Sequence, residues 1–487
     1  MNTVETIAAR QRGEIIYLPG IVPAPPALLS LLGELLAAGY PSLIVGGAVR
    51  DALLGIRPKD FDVEVYGISY DHLSELMSRR GRVDLVGRSF GVVKFSDNSG
   101  NQWDFSVPRR DNKIGIGHRD FRSTFDPNLT MSEAASRRDF TINALAYDPL
   151  AQDLHDYFGG RSDLEQRTLR ATSSAFAEDP LRVLRGMQFA CRFNMTLDTE
   201  TAATCRSIAD QYGTLPKERV SEEFMKWATK ASHPGRILEY LHASAWLYHF
   251  PDLEKIRGVP QDPEWHPEGD VGTHTMHVVN AAARIAEREQ LVEKDRAVLM
   301  FSALTHDFAK ADLTELREKN GQMRWTSYGH EKAGGPLARK FLEAIGINAD
   351  IIAEVVPLVE NHLAHIRFDE VEIQPRTIRR LAARLAPANV TQLTWLIEAD
   401  LSGRPPLPGG LSEEARRMRD SAVAHNVEKA PQPHLILGRH VLPYFAGKPG
   451  KHIGDVVKSA YEAQLEGEFS DLEDALKWLA AHMETVR

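Results

Sequence analysis

The chain has 487 residues, a net charge of −9, 43% apolar residues and 26% charged residues. That length allows several domains with cores of their own. The acidity excludes a protein that binds nucleic acid through bulk positive charge, so any RNA contact must come from local clusters.

Two cysteines, Cys191 and Cys205, speak against a disulfide framework or a zinc ribbon and fit a reducing cytoplasm. No apolar run reaches membrane-spanning length. The N-terminus, with Glu5, Arg10, Arg12 and Glu14, lacks the apolar core of a signal peptide.

Residues 1–25 read as an N-terminal extension ending in a cluster of prolines. Residues 26–165 mix short strands, helices and loops. Leu43, Ile44 and Val45 read as a buried strand, Gly46 and Gly47 as a turn, and 48–54 as a helix start. Glycine lets a phosphate approach the main chain, free N–H groups at a helix start favour anions, and Arg50 adds a positive fork. Phe61, Val63 and Val65 then alternate with Asp60, Asp62 and Glu64. On a strand Asp60 and Asp62 share a face, about 7 Å apart, and two hard carboxylates beside a phosphate cradle suit Mg²⁺. Either half alone reads as an ordinary β-turn-α unit with a solvated face. Together they favour a nucleotidyl-transfer site.

Further strands are predicted over 85–87, 92–95 and 103–107, with Asp104 a possible third carboxylate. A long polar loop is predicted over 109–130. In the run from Arg137 to Ala144, Asp139 and Asn143 suit sugar hydroxyls and Arg138 a phosphate. The same residues also read as a helix start capped by Asp139, over buried Ile142 and Leu145. Gly159, Gly160, Asp163 and Leu164 read as a glycine turn entering a helix.

Residues 166–262 form a predicted helical neck. Pro180 suits the first helical position with Asp179 as cap. Leu181, Leu184 and Met187 supply a buried stripe. Glu178, Arg182 and Arg185 fall at i, i+4, i+7 on another face. An acid–base pair there is often only a weak salt bridge. It also has a sharper use. Cytosine and adenine both present an amino donor beside a ring-nitrogen acceptor, whereas guanine and uracil present the reverse. An Asp acceptor held near an Arg donor therefore selects C and A.

The stretch 260–267 reads as a linker into residues 263–403. There His274 lies on a predicted helix, His306 and Asp307 end the next apolar helix, and Asp400 comes much later. Imidazole and carboxylate ligands suit Ni²⁺, Mn²⁺ and similar transition ions. His330, His362 and His365 could serve a second metal, or could be surface and capping histidines. The stretch 404–410, rich in proline, reads as a second linker into a helical tail, 404–487. The fold class is therefore α+β: an α/β head with a short mixed sheet, then an elongated all-helical neck, body and tail.

The glycine–arginine cradle, the paired aspartates, the Arg-Arg-Asp segment and the Glu-Asp-x-x-Arg segment occur in the order found in class II nucleotidyltransferases. The head thus resembles the branch holding tRNA CCA-adding enzymes and bacterial poly(A) polymerases. The resemblance implies that Gly46, Gly47, Arg50, Arg138, Asp139, Asn143, Glu178, Asp179, Arg182 and Arg185 bind CTP and ATP, and that Asp60 and Asp62 are catalytic ligands of Mg²⁺. It implies tRNA as partner, with the 109–130 loop helping the switch from CTP to ATP. Bacterial poly(A) polymerases typically carry a basic Gly-Arg-Arg-Phe-Arg-type run after the strand. Here Ser89 and Gly91 replace the extra arginines, which favours the tRNA enzyme over poly(A) addition. A CC-adding or A-adding specialist stays open.

His274, His306, Asp307 and Asp400 follow the order of the HD phosphohydrolase superfamily. With Trp265, His266, Pro267, Glu268, Asp270 and Gly272 they resemble the HD-containing CCA proteins of bacteria. In those the domain carries phosphatase and 2′,3′-cyclic phosphodiesterase activities. One departure is Ala309 in place of the usual glycine of His-Asp-Leu-Gly-Lys. The tail resembles the tRNA enzymes at Leu437 to Arg439, Lys448 to Lys451 and Glu466 to Phe469. Two rivals remain: a phosphohydrolase with a non-catalytic nucleotide-binding head, and a non-catalytic RNA-binding protein. Oligomeric state is left open.

Overall fold

A computed structural model describes residues 8–84, 91–113, 121–369 and 373–486. The chain divides into two compact units. One is Met1–Phe224 with Glu239–His249, the other Met225–Leu238 with Phe250–Arg487.

The first unit is built on a mixed eight-stranded sheet. In chain order its strands are β1 (Ile15–Tyr17), β2 (Ser42–Val45), β3 (Asp62–Val65), β4 (Arg82–Asp84), β5 (Val92–Ser96), β6 (Gln102–Ser106), β9 (Ala146–Asp148) and β10 (Asp153–His155). The spatial order is β1-β10-β9-β2-β3-β6-β5-β4. Within it β3 and β6 run parallel, and the other neighbours are antiparallel. β2 is buried at all four residues, as its unbroken apolar run requires when both sheet faces are covered. β1 brings residues of the expected N-terminal extension into the sheet, and Ala9, Ile15 and Val22 are buried.

Two expectations differ from the structure here. The 109–130 loop contains a paired hairpin, β7 (Arg109–Lys113) with β8 (Phe121–Phe125). Its polar residues hide the strand pattern, because alternation is legible only where one face is apolar. The predicted 85–87 strand and Ser89 lie outside the described residues. Asp139 does not start a long helix: a single 3-10 turn, Thr141–Asn143, follows Phe140. Ile142 and Leu145 are fully buried, as the pattern predicts.

Glycines matter at two positions. Gly46 has φ +70°, and a Cβ there would sit 2.8 Å from Arg138 Nη1. Gly160 opens the helix Gly160–Glu165 directly over the Thr141 turn, where a Cβ would come within 2.2 Å of the Thr141 carbonyl oxygen. The Asp163 carboxylate on that helix accepts the Thr141 hydroxyl at 2.6 Å.

In the second unit the helices Val271–Arg288, Glu293–Thr305, His330–Ala344, Ala349–Glu360 and Val390–Ser402 pack together. A hairpin, β11 (Glu315–Lys319) with β12 (Gln322–Thr326), stands between His306–Asp307 and His330. The stretch 260–267 is no spacer. It lies inside this unit, with Gln261 accepting from Lys310 and Asp262 paired to Arg324. The helices Lys451–Glu466 and Leu472–Val486 close on a core of their own that includes Val456, Ala460, Leu479 and Met483. Among the described residues, no helix is long and apolar enough to cross a membrane.

Gly160→Val should lower the stability of the first unit by about 1–3 kcal/mol, the usual cost of forcing atoms into a filled site. A lower urea midpoint at unchanged m-value checks it.

Candidate active sites

β3 and β6 pair in parallel with Asp62 opposite Asp104, so the two carboxylates project from the same face of the sheet. Asp60 lies just ahead of β3, exposed, rather than within the strand. Burial raises the pKa of Asp62. The neighbouring Asp104 and Asp60 charges push the same way, against Arg138. A carboxylate held up by burial and by neighbouring acids is where a hard divalent cation relieves repulsion. Glu64, next on that face, is instead buried. It accepts the Tyr66 hydroxyl at 2.8 Å and pairs with Arg137 at 3.3 Å.

Behind the cradle runs a chain of buried polar groups. Arg50 is 5% exposed. It holds Asp51 at 2.6 Å, donates to Asn143 Oδ1 at 2.6 Å, and sits 4.6 Å from the Phe193 ring centroid. Asn143 Nδ2 donates to Asp139 Oδ1 at 2.9 Å. Asp139 Oδ2 receives Arg185 at 2.8 Å. Arg50 thus ties these groups together. Both Arg138 and Arg50 border the glycine turn: a Gly46 Cβ would strike Arg138, and a Gly47 Cβ would lie 3.5 Å from Arg50 Nη2. The helix Gly47–Leu53 is only seven residues long, which makes such guanidinium charge the more important source of positive potential.

Asp179 and Arg182 meet differently from the simple helix picture. Glu178 ends a 3-10 turn, Ser174–Glu178, and Asp179 is extended, so Glu178 does not continue the face of the helix Leu181–Phe193. Asp179 Oδ1 accepts the Leu181 amide at 3.1 Å, a capping contact. Arg182 donates to the carbonyls of Ala175 at 2.8 Å and Arg137 at 2.7 Å. Leu181, Leu184 and Met187 are fully buried, as their spacing predicts.

In the second unit four histidine Nε2 atoms converge on two carboxylates. His274 Nε2 lies 3.1 Å from Asp400 Oδ1, and His306 Nε2 lies 3.2 Å from Asp307 Oδ2. His330 Nε2 lies 3.2 Å from Asp307 Oδ1 and 3.2 Å from His362 Nε2. All six side chains are buried. They form two groups of potential metal ligands, His274–His306–Asp400 and Asp307–His330–His362. His365 is not among them and faces the His362 carbonyl.

The Nδ1 atoms face hydrogen-bond acceptors: the carbonyls of Ala303, Ser327 and Val359 for His306, His330 and His362, and Glu268 Oε1 for His274. With each Nδ1 facing these acceptors, each Nε2 is turned toward the carboxylates, where a cation would replace a proton. Burial works to lower the pKa of His274, but Asp400 and Glu268 outweigh it and raise the group to about 9. Lys310 Nζ stands 2.8 Å from Asp307, so that carboxylate is ion-paired with Lys310 and flanked by His306 and His330. A buried cluster this dense in imidazole and carboxylate suits a cation in place of protons. Burial opposes ionisation of Asp307 and Asp400, yet the neighbouring histidines hold both well below the usual carboxylate range. Burial and the charges of His330 and His306 bring His362 down to about 3, which keeps it a neutral donor. Ala309 is helical, at φ −71° and ψ −13°, so replacing the usual glycine does not strain the turn.

Some site residues carry no periodic signal. Asp51 and Glu64 read as ordinary helix and strand acids, and only their buried partners set them apart. Glu268 and Lys310 stand inside quoted motifs, but only the folded chain gives them contacts.

The chain matches the family model described as "Poly A polymerase head domain" over residues 42–170 and the "HD domain" model over 271–387. The Multifunctional CCA protein of Xanthomonas campestris pv. campestris (strain B100) is 36% identical over 372 residues, covering 74% of this chain and 85% of that protein. That of Nitrosococcus oceani is 34% identical over 384 residues, covering 77% and 88%. In fold the chain resembles the Bacillus stearothermophilus CCA-adding enzyme in complex with CTP, with TM-score 0.63, 19% identity and 95% and 99% coverage. It also resembles the Thermotoga maritima CCA-adding enzyme complexed with tRNA, with TM-score 0.56, 17% identity and 96% and 99% coverage.

Asp139 supplies a pH test. Burial works to raise its pKa, but Arg185, Asn143 and the Phe140 amide outweigh it and hold the group below the ordinary value. For a depressed carboxylate, the stabilisation is complete above the unfolded value, about 3.9, and is lost as pH falls through the folded value. The urea midpoint of Asp139→Asn should trail the wild type by a constant gap from pH 7 to 5. The gap should narrow below about pH 4.

Proposed function

Because the chain belongs to the family of bacterial multifunctional CCA proteins, we propose that it adds or repairs the 3′-terminal CCA of tRNA from CTP and ATP, releasing pyrophosphate. The observation that carries this reading is the carboxylate cluster of Asp60, Asp62 and Asp104 beside the Gly46–Arg138 turn. Mutually repelling acids next to a guanidinium and an open backbone suit a divalent cation with a triphosphate. When bound there, Mg²⁺ would lower the pKa of the attacking RNA 3′-hydroxyl and neutralise charge on the triphosphate. Asp60 and Asp62 would hold it, with Asp104 as the third oxygen donor.

Arg138 would meet the phosphates. Arg50, Asn143, Asp139 and Arg185 would keep the cradle and the recognition helix in one register. Asp179 and Arg182 would turn toward the Watson–Crick edge of an incoming C or A, exchanging their capping and carbonyl contacts for the base. Gly47 and Glu178 complete the nucleotide-binding set. Exposed Lys448 and Lys451 suit tRNA phosphates. Buried Cys191 and Cys205, which form no disulfide among the described residues, agree with a cytoplasmic site of action.

A second activity is favoured by a separate observation, the buried cluster of His274, His306, Asp307, His330, His362 and Asp400 at metal-ligand spacing. We assign this centre to a phosphohydrolase acting as a phosphatase or 2′,3′-cyclic phosphodiesterase. His274, His306, Asp307 and Asp400, extended by His330 and His362, would hold Ni²⁺, Mn²⁺ or a similar ion. Such an ion would supply Lewis acidity toward the phosphoester.

The test of the main activity is to incubate the purified chain with tRNA lacking its 3′ end and each NTP, then sequence the products. Ordered C, C, A supports the reading; a long A tract from ATP alone would assign the chain to poly(A) synthesis instead. Asp62→Asn should abolish addition without changing thermal melting, and substantial transfer by that variant would refute the metal assignment. Asp179→Ala or Arg182→Ala should admit UTP or GTP, or slow both normal substrates, since losing one side of a buried polar match costs about 1–3 kcal/mol. Wild-type rate and selectivity in both variants would reduce these residues to structural contacts.

A further inference from the structure

The segment Trp265-His266-Pro267-Glu268-Gly269-Asp270 leads into the helix that carries His274, and the ligand set proposed above leaves it without a task. The orientation of the histidines gives it one.

His306, His330 and His362 each face, through Nδ1, the carbonyl three residues earlier, at 2.9, 2.7 and 2.7 Å. Those acceptors are neutral and belong to the histidine's own main chain. His274 differs. It lies in the first turn of the helix Val271–Arg288, and its Nδ1 stands 2.7 Å from Glu268 Oε1. The Glu268 side chain has no exposure. The same oxygen faces His266 Nδ1 at 2.9 Å, and Glu268 Oε2 has no hydrogen-bond partner.

The loop that presents Glu268 is pinned at its end. Asp270 caps the helix by accepting the Thr273 amide at 2.8 Å and also accepts the Gly258 amide. Glu268 is not itself placed as a ligand of the His274–His306–Asp400 group. It meets the Nδ1 side of the His274 ring, whereas Asp400 meets Nε2.

We propose that Glu268 is a positioning residue for the metal centre: its carboxylate holds the Nδ1–H of His274, aims the Nε2 lone pair into the His274–His306–Asp400 pocket and strengthens that nitrogen as a donor, while His266 holds Glu268 in place. This rests on the reading of the pocket as a metal centre. An imidazole hydrogen-bonded to an anion is a better electron donor than one bonded to a neutral carbonyl. Of the four histidines, only His274 directs Nδ1 at a side chain among the described residues, so its outer contact can be altered without moving the main chain.

The experiment titrates metal-free full-length chain with Ni²⁺ by calorimetry. It compares wild type, Glu268→Gln, Glu268→Ala and the His306→Ala/Asp307→Ala double variant, with CCA addition by the same preparations as a check on the first unit. Glu268→Ala should weaken Ni²⁺ binding by about 10–100-fold, the usual effect of losing an outer-shell partner. Glu268→Gln keeps an acceptor without the charge and should recover part of that loss. Wild-type affinity in Glu268→Ala, with binding lost in the double variant, overturns the inference and leaves the metal centre standing. A Gln variant no better than Ala also overturns it, because an acceptor at this position would then not orient His274. Absence of Ni²⁺ binding by the wild type sinks the metal-centre reading and this inference with it.

Discussion

The buried carboxylate of Asp139 is the contact on which the first unit depends. One oxygen accepts the Phe140 amide and the Asn143 side chain, and the other receives Arg185. Through Asn143 it reaches Arg50, and through Arg50 it reaches Asp51 and Arg192. Three segments far apart in sequence are thereby held in one register: the glycine turn, the Arg-Arg-Asp segment and the Leu181–Phe193 helix. A buried charge is tolerable only when fully partnered, so removing any one member leaves another orphaned. That cost ties the three segments to a single arrangement.

The same logic runs the other way in the second unit. There the polar groups are crowded together: four imidazoles and the Lys310 ammonium face two buried carboxylates. Folding energy must come from elsewhere, and the surrounding apolar helices supply it, with Val278, Val279, Phe301, Leu304, Leu396 and Ile397 fully buried. A rigid, dry shell around such ligands is what gives a cation its binding free energy. Such centres are consequently the places where a protein departs from local stability rules.

Much of the architecture was legible before folding. Buried β2, the turn at Gly46 and Gly47 and the stripe of Leu181, Leu184 and Met187 follow from composition and period, because each depends on neighbours within a few residues; the order His274, His306, Asp307, Asp400 is legible only through its family resemblance. The β7–β8 hairpin was not legible, because Arg109–Lys113 holds no apolar residue to mark a face. The 260–267 segment read as a linker from its prolines, although its side chains touch Lys310 and Arg324.

The sequence by itself determined the family, since that rests on residue types and their order, and it named two candidate ligand sets. The tertiary structure decided which charges are buried and what they pair with. Arg50 and Arg138 look alike in sequence and both border the glycine turn, yet only the folded chain buries Arg50 against Asp51 and Asn143. His330 and His362 could have been surface histidines, and only long-range packing brings their Nε2 atoms to Asp307. Partner choice among buried polar groups depends on contacts between residues tens to more than a hundred positions apart, and no local pattern encodes that distance.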